Sequence, residues 1–249
     1  MAFNRFKTML RIEVERSFPV QRRGRPPLLT FDEAYESILK VTRTGMQWRE
    51  LQPKNVSFIT VFKTMHKWIA ADLFRIVYRR LLRLYARSRR PRYYCVDSSF
   101  VKNVYGTDCI GRNPTDRGRM ATKLSTIVDD RGTPFALLCT PANQSDMRLL
   151  EPTLEGAMAT LAPETRLYAD KGYDSAYNRQ ICHRRGLRDR IFRRRTINGR
   201  RTHAMRGVVE RFFAWIDKYR RLILRYERHV AVYESLTLLA FGQLIETRF

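Results

Sequence analysis

Along the 249 residues the spacing of apolar positions changes near residue 90. Before that point they recur every three or four places, as in helices that bury one face. Thr30, with Glu33 three residues on, reads as a capping box opening a helix from Phe31 to about Arg43, and Gly45 ends it. Met46 to Pro53 reads as a loop with a buried Trp48. Ser57 offers a cap for a second helix, in which Phe58, Val61, Phe62, Met65, Trp68 and Ile69 share a face, with Lys54, Lys63 and Lys67 on its other surfaces. Asp72 is expected to cap a third, whose stripe is Leu73, Ile76, Val77, Leu81 and Leu84, with Arg75, Arg79, Arg80, Arg83 and Arg87 largely outside it. These helices predict a DNA-binding domain of helix-turn-helix type over residues 26–90; a helical cap with an ordinary charged face fits the same pattern. Ser88-Arg89-Arg90-Pro91 marks the boundary.

From Arg92 the period shortens to two. A strand from Tyr93 to Val96 ends in Asp97, and a loop follows through Gly106, Gly111 and Gly118. Lys123 to Asp129 turns at Asp130-Arg131-Gly132 into Phe135 to Thr140, a β-hairpin. Asp146 opens a helix through Leu149, Leu150, Leu154 and Met158. Arg166 to Ala169 is the next strand, ending in Asp170; a helix from about Ser175 to Arg185 and a short strand within Leu187 to Phe192 come after it. Helices from about His203 to Arg220 and around Tyr233 to Ile245 close the chain. This order predicts an α/β unit over residues 91–249, a mixed sheet flanked by helices.

Charge adds a partner to that outline. Forty-eight Lys plus Arg against 24 Asp plus Glu leave +24 at neutral pH, and Arg, whose planar fork suits phosphate, supplies most of the cations. Nucleic acid is the leading partner; a basic protein that stays soluble or binds RNA structurally is the alternative. Residues 1–25 read as a basic leader, in which Arg22-Arg23-Gly24-Arg25-Pro26-Pro27 is an arm for a minor groove or backbone, or a solvated linker. Cys95, Cys109, Cys139 and Cys182 form no C-x-x-C pair, and His66, His183, His203 and His229 are dispersed, so no zinc finger is supported. The thiols are expected to be free in a reducing, intracellular compartment. Charges interrupt Met1 to Val20, and no apolar run approaches a membrane span, so neither a secretory signal nor a membrane partner is expected.

In so basic a chain, carboxylates among apolar residues need a reason. Asp97 and Asp170 each follow a strand, where open α/β sheets place ligands. Glu210 lies on a helix among Val208, Val209, Phe212, Phe213 and Ile216. His203, Arg206, Glu210 and Asp217, spaced by three, four and seven, fall on one stripe of a continuous helix. That stripe fits a cleft holding metal and phosphate; an Arg–Glu pair on a solvated face is the other reading. Among the remaining acids, Asp108 and Asp129 are rivals, Asp130 suits a turn, Asp146 a helix cap, and Asp174 a cap for the helix beginning near Ser175.

The residues also resemble a family. Asp97 at a strand, Thr122-Lys123-Leu124-Ser125-Thr126-Ile127-Val128-Asp129 running into Asp130-Arg131-Gly132-Thr133-Pro134, Ala142-Asn143-Gln144-Ser145-Asp146, Ala169-Asp170-Lys171-Gly172-Tyr173-Asp174-Ser175, Val209-Glu210-Arg211-Phe212-Phe213, Tyr219-Arg220-Arg221-Leu222 and Arg225-Tyr226-Glu227 together resemble the DDE transposases of bacterial insertion sequences. The branch they are most similar to is the one named after insertion sequence 5, and Gly45-Met46-Gln47-Trp48-Arg49-Glu50-Leu51 resembles its helical N-terminal region. The likeness runs from about Arg25 to the C-terminus.

The resemblance implies a ribonuclease-H-like domain in which Asp97, Asp170 and Glu210 are the catalytic, metal-binding triad for Mg²⁺ or Mn²⁺, two ions in all. It implies cleavage at the element ends and strand transfer into target DNA; a nuclease without strand transfer, or a non-catalytic descendant that binds DNA, are the alternatives. Related transposases carry a Tyr, Arg, Glu, Lys signature around the last acid. Here Arg206 and Glu210 match, His203 replaces the Tyr, and Asp217 takes the Lys position with Lys218 one residue late, so His203 and Lys218 stay open. Arg206 is expected to position phosphate. The stretch from Arg184 to Arg201, with Arg193, Arg194 and Arg195, is expected to track DNA backbone or to be a solvated loop, and Lys63 and Lys67 to meet DNA from the helical domain. Lys123 either contacts backbone from a sheet edge or is a surface lysine. Double-stranded DNA, as terminal inverted repeats and target, is the expected partner. Paired ends need two active sites, hence a homodimer on DNA, acting in cytoplasm and nucleoid in a bacterium or the nucleus in a eukaryotic or viral setting.

Overall fold

A computed structural model describes residues 4–19, 28–193 and 201–248. Its first helix falls where charge alone suggests a leader. In α1 (Arg5–Ser17) Asn4 Oδ1 accepts from Lys7 N at 2.8 Å, and Phe6 and Leu10, four positions apart, are buried. The charges that interrupt the apolar run lie on the outer face or are paired, as Glu13 is with Arg80.

Among the described residues three further α-helices precede the sheet: α2 (Phe31–Thr44), α3 (Phe58–Ala70) and α4 (Leu73–Ser88). The α2 ends follow expectation: Thr30 Oγ1 accepts from Glu33 N at 3.2 Å, and Gly45 takes the left-handed φ of 71° that glycine tolerates. The reciprocal half of the capping box is replaced. Glu33 Oε1 accepts from Lys54 N at 2.7 Å and so ties down the loop that holds the 3-10 turn Trp48–Glu50. Ser57 and Asp72 stand at the cap positions of α3 and α4 without a side-chain capping bond, and Asp72 pairs with Arg75 at 3.5 Å instead.

Among the described residues seven strands form one mixed sheet: β1 (Tyr93–Asn103), β2 (Gly111–Arg112), β3 (Met120–Asp129), β4 (Pro134–Pro141), β5 (Arg166–Ala169), β6 (Arg188–Ile191) and β7 (Leu224–Arg225). β3 pairs antiparallel with β1 on one side and with β4 and β2 on the other. β1 pairs parallel with β5, and β5 with β6. Helix α5 (Asp146–Glu155) precedes β5, and α6 (Ala176–Arg184) joins β5 to β6. An antiparallel meander continued by two parallel strands, with helices on the crossovers, is the ribonuclease-H-like arrangement, as expected.

Three boundaries depart from the expectations. β1 does not stop at Asp97 but runs to Asn103, because β3 supplies backbone partners through Lys102 regardless of side-chain alternation. Helix α7 (Arg201–Ile216) ends before Asp217, and the chain continues through α8 (Arg220–Ile223) into β7, which lies parallel to β1 at Lys102 and Asn103. Met158 lies beyond α5, where its N–H donates to Phe135 O at 2.8 Å.

The last helix, α9 (Val230–Glu246), is apolar on nearly every side, as a helix enclosed by protein must be. Leu236, Leu239, Ala240, Phe241 and Ile245 are buried between α1 to α4 and β4. Phe241 meets Tyr78 of α4 at 5.6 Å and Phe212 of α7 at 5.5 Å. α4 is further stitched to the β3–β4 turn. Tyr78 donates to Pro134 O and Tyr85 to Asp129 Oδ2, each at 2.7 Å, while Arg89 pairs with Asp130. Asp129 Oδ1 also accepts from Arg131 N and Thr133 N, so both acids serve the turn. Burial pushes the Asp130 carboxyl up, but hydrogen bonds from Arg89 and Arg92 outweigh it and hold it below the ordinary value of 3.8. Among the described residues no helix is long and apolar enough to cross a membrane.

Two outcomes follow. A Cβ on Gly242 would sit 2.4 Å from the buried Phe6 ring, so Gly242→Ala is expected to lose about 1–3 kcal/mol in urea unfolding through overpacking. Combined with Phe6→Ala, which removes the clashing ring, the two losses should add to clearly less than their sum; simple additivity would mean that α1 does not rest there. Because the folded Asp130 pKa is depressed, its contribution is present at neutral pH and lost as pH falls through the folded value, below about 4. Arg89→Ala should therefore flatten the decline in stability as pH falls below about 4 in acid titrations of the unfolding midpoint.

Candidate active site

β1 has unequal neighbours. On one side β3 pairs with it from Tyr94 to Lys102; on the other, β5 covers only Tyr93 to Cys95. Beyond that, until β7 joins at Lys102, that edge of β1 has no strand partner among the described residues. Asp97 stands at the start of this gap, opposite Thr126 of β3. β5 ends at Ala169, and Asp170 turns the chain away: its Oδ1 accepts from Gly172 N at 2.7 Å in a 3-10 turn, Lys171–Tyr173. Helix α7 packs on β1 and brings Val209 and Glu210 to the same place.

Asp97, Asp170 and Glu210 thereby line one cavity of about 150 Å³, together with Cys95, Val96, Tyr168, Ala169 and Phe192. Asp97 Oδ1 accepts from Ser98 N at 2.8 Å; Asp97 and Asp170 are half-buried and Glu210 is exposed. Burial, reinforced by the Asp97 charge, pushes the Cys95 thiol up to about 12. The acidic donors in the lining are carboxylate oxygens, which suit a hard divalent cation. They are not preassembled: among the described residues no three acidic, His or Cys side chains are gathered as a metal cluster.

A second polar layer lies beside the cavity. Asp146, the first residue of α5, leaves the capping position to Ser145 and instead accepts from Ser98 Oγ at 2.7 Å and from Lys123 Nζ at 3.0 Å. Lys123 is only 4% exposed; it also donates to Gln144 O at 2.7 Å, with its ammonium 4.8 Å from the Phe100 ring centroid. Its strand is flanked on both sides, so the expected sheet-edge position is incorrect, and the ammonium is turned inward against an acid. A Cβ on Gly172 would lie 2.9 Å from Asp170 Oδ1 and 3.3 Å from Asp146 Oδ2, so a glycine is what lets these two carboxylates approach. Tyr173, fully buried, has its hydroxyl pKa pushed well above normal by burial and then by Asp146, Asp97 and Asp170. Sequence reasoning took Asp146 for a cap; the available signal was Lys123, the one basic residue within β3.

The other expected residues scatter. His203 and Arg206 are on α7, but their side chains lie outside the described ones, and Arg194 and Arg195 lie outside the described residues altogether. Arg193 is exposed just after β6. Lys63 and Lys67 are exposed on α3 beside Phe62 and His66. Asp217 and Lys218 fall beyond the end of α7, so the stripe does not extend to them, and Lys218 lines a separate cavity with Arg131, Arg211 and Arg248. Asp108 binds Arg225 and caps α9, its Oδ1 accepting from Val230 N at 2.8 Å. Asp174 pairs with Arg179 at 2.7 Å, while Ser175 Oγ, accepting from Asn178 N at 3.0 Å, caps α6.

Fold and cavity together define a ribonuclease-H-like protein in which Asp97, Asp170 and Glu210 line one cavity at the β1–β5 junction. The chain belongs to the DDE transposase family: the family described as "Transposase DDE domain" matches residues 88–243. It is 36% identical over 149 residues, 57% of this chain and 69% of the relative, to a putative transposase for insertion sequence element IS402 of Burkholderia cepacia. It is also 36% identical over 110 residues, 40% of this chain and 37% of the relative, to the transposase for insertion sequence element IS1106 of Neisseria meningitidis serogroup B. Among solved structures it is similar to a chain of a simian T-cell lymphotropic virus intasome in complex with PP2A regulatory subunit B56 gamma, at 13% identity and a TM-score of 0.35 over 83% of this chain and 65% of that one. A second is a pre-cleavage Mos1 transpososome, at 8% identity and a TM-score of 0.26 over 92% and 81%.

Lys123 supplies a test of the inner layer. Lys123→Met keeps the length of the side chain but leaves Asp146 without its cation, at an expected cost of about 1–3 kcal/mol in denaturant unfolding. DNA affinity in a filter-binding titration should stay unchanged; a several-fold weakening with a shallower salt dependence would make this lysine a phosphate contact after all.

Proposed function

We propose that the protein binds the ends of a mobile DNA element and catalyses metal-dependent strand cleavage followed by strand transfer. The observation that carries this reading is the cavity at the β1–β5 junction: Asp97, Asp170 and Glu210 share one wall system in a chain of charge +24. Asp97 and Asp170 would hold the ions from the sheet, and Glu210 from α7. Bound there, Mg²⁺ or Mn²⁺, as two ions, would activate a water or 3′-hydroxyl and stabilise the leaving oxygen of an in-line displacement.

The chain's own residues supply the rest. Asp97 is fixed by the central strand and Asp170 by its bond to Gly172 N, so two of the three acids are oriented before DNA arrives. Glu210, exposed on α7, completes the set when substrate fills the cavity. Arg206 and the arginines 193 to 195 would position phosphates from the same helix and its approach. The N-terminal helices, as a helix-turn-helix-like unit with Lys63 and Lys67 on α3, would recognise the terminal repeats. A homodimer on double-stranded DNA would bring two such sites to paired ends, in the compartment where the host DNA lies.

Asp97→Asn, Asp170→Asn and Glu210→Gln should each abolish Mg²⁺-dependent cleavage of element-end DNA, a fall of at least about a thousandfold, with binding of the same duplex within about twofold of the parent. Full cleavage by any one variant removes that residue from the triad. A parent protein that nicks element ends yet never joins a pre-cleaved 3′-end to target DNA would make the chain a nuclease.

A further inference from the structure

Away from the acids, a cavity of about 690 Å³ opens between the helical layer and the segments beside β1 and β7, a size typical of ligand sites. Trp48, Arg49, Phe58 and Phe62 line it from the 3-10 turn and α3, Tyr105 and Tyr226 from the other side. Two of these rings are costly to leave in water: Phe62 is 37% exposed and Tyr105 65%. The walls are held in advance. Trp48 meets Phe62 edge-on at 5.3 Å, and Tyr105 lies 6.2 Å from Tyr226. Tyr105 N donates to Arg225 O at 3.4 Å. Arg221, buried, links the two sides: Nε donates to Glu227 Oε1 at 2.7 Å, Nη1 to Met46 O at 3.4 Å, and its guanidinium stands 5.0 Å over the Tyr226 ring.

The rim carries the opposite chemistry. Arg49 at the mouth, and Lys63 and Lys67 on the adjoining face of α3 beyond Phe62, are exposed and make no ion pair or side-chain hydrogen bond among the described residues. An apolar side chain from a protein partner would have no use for three free cations. A flat π-system attached to a polyanion uses both parts: aromatic faces stack on a base, and the cations take the phosphates beside it. Bases within a duplex are already stacked, so the ring that enters must be unpaired.

We propose that this cavity binds an unpaired nucleobase of the DNA strand, stacked against Trp48, Phe62 and Tyr105, with flanking phosphates on Arg49, Lys63 and Lys67. The inference rests on the transposase reading for its DNA partner and adds a strand-separated segment to what that DNA must offer. Stacking is tolerant of sequence, so the site reads strandedness rather than a particular base.

The test uses the full chain without divalent metal and two probes: a duplex with a single-stranded 3′ tail bearing 2-aminopurine, and the same duplex fully paired. The parent should bind the tailed DNA about tenfold more tightly and quench the 2-aminopurine on binding. Tyr105→Ala and Phe62→Ala, both at exposed positions, should abolish that preference and the quenching, with thermal unfolding and affinity for paired duplex unchanged. Arg49→Ala should weaken tailed-DNA binding and reduce its salt dependence. Equal affinity for the two DNAs, or quenching that survives Tyr105→Ala and Phe62→Ala together, overturns the proposal. So does loss of self-association in sedimentation of Phe62→Ala with strand preference intact, since the cavity would then be a contact between copies. Metal-dependent cleavage by the parent is scored separately: quenching without cleavage would sink the transposase reading and leave the base site standing.

Discussion

The site depends on how β1 is paired. One edge is bonded to β3 through almost its whole length, which fixes the position of every residue on it, Asp97 included. The other edge meets β5 for three residues and β7 for two, and between them, among the described residues, the strand has no strand partner and α7 packs on it. A strand paired fully on both sides would leave no room for a cavity beside Asp97. A strand paired on neither would not hold a carboxylate steady. The two requirements are met by ending β5 at Ala169, where the Asp170 side chain bonds Gly172 N and bends the chain out of the sheet.

Rigidity around that opening comes from two sources of different kind. α9 supplies the apolar one: it is buried between the N-terminal helices and β4, so the hydrophobic free energy of one helix serves both layers, at about 1.5–3 kcal/mol for each large side chain enclosed. The polar source is a set of acids spent on structure. Asp129 and Asp130 hold the β3–β4 turn to α4, Asp108 holds Arg225 and the start of α9, and Asp146 holds Ser98 and Lys123 beside the cavity. Each of these has a cation or a donor of its own. At the β1–β5 junction, Asp97 and Asp170 accept from the backbone N–H groups of Ser98 and Gly172, which fix the direction of each carboxylate.

This division explains which residues could be identified from the chain alone. Asp170 follows the run Leu167-Tyr168-Ala169 and Glu210 interrupts an apolar helix face, so both stand out against local pattern. Asp146 does not, because Ser145-Asp146 before a leucine pair looks like an ordinary helix start; its role follows from Lys123, which lies 23 residues earlier in the chain. Asp217 shares a stripe with Glu210 only on one continuous helix, and the break after Ile216 takes it off that stripe. The first helix was hidden for a related reason: an i, i+4 pair of buried residues is too short a pattern to stand out among six charges, and what it packs against, α4 and α9, lies far along the chain.

Apolar periodicity and turn chemistry determined most elements of this protein, since both are properties of neighbouring residues: α2 between Thr30 and Gly45, the hairpin at Gly132, β5 and α9 follow from them. Composition determined the sign of the surface. Only the tertiary structure decided where β1 stops having a partner, that Lys123 faces inward, and that Trp48 and Tyr105 share a cavity. Those outcomes rest on contacts between segments tens of residues apart, whose geometry is set by the packing of whole elements rather than by the spacing of residues within one.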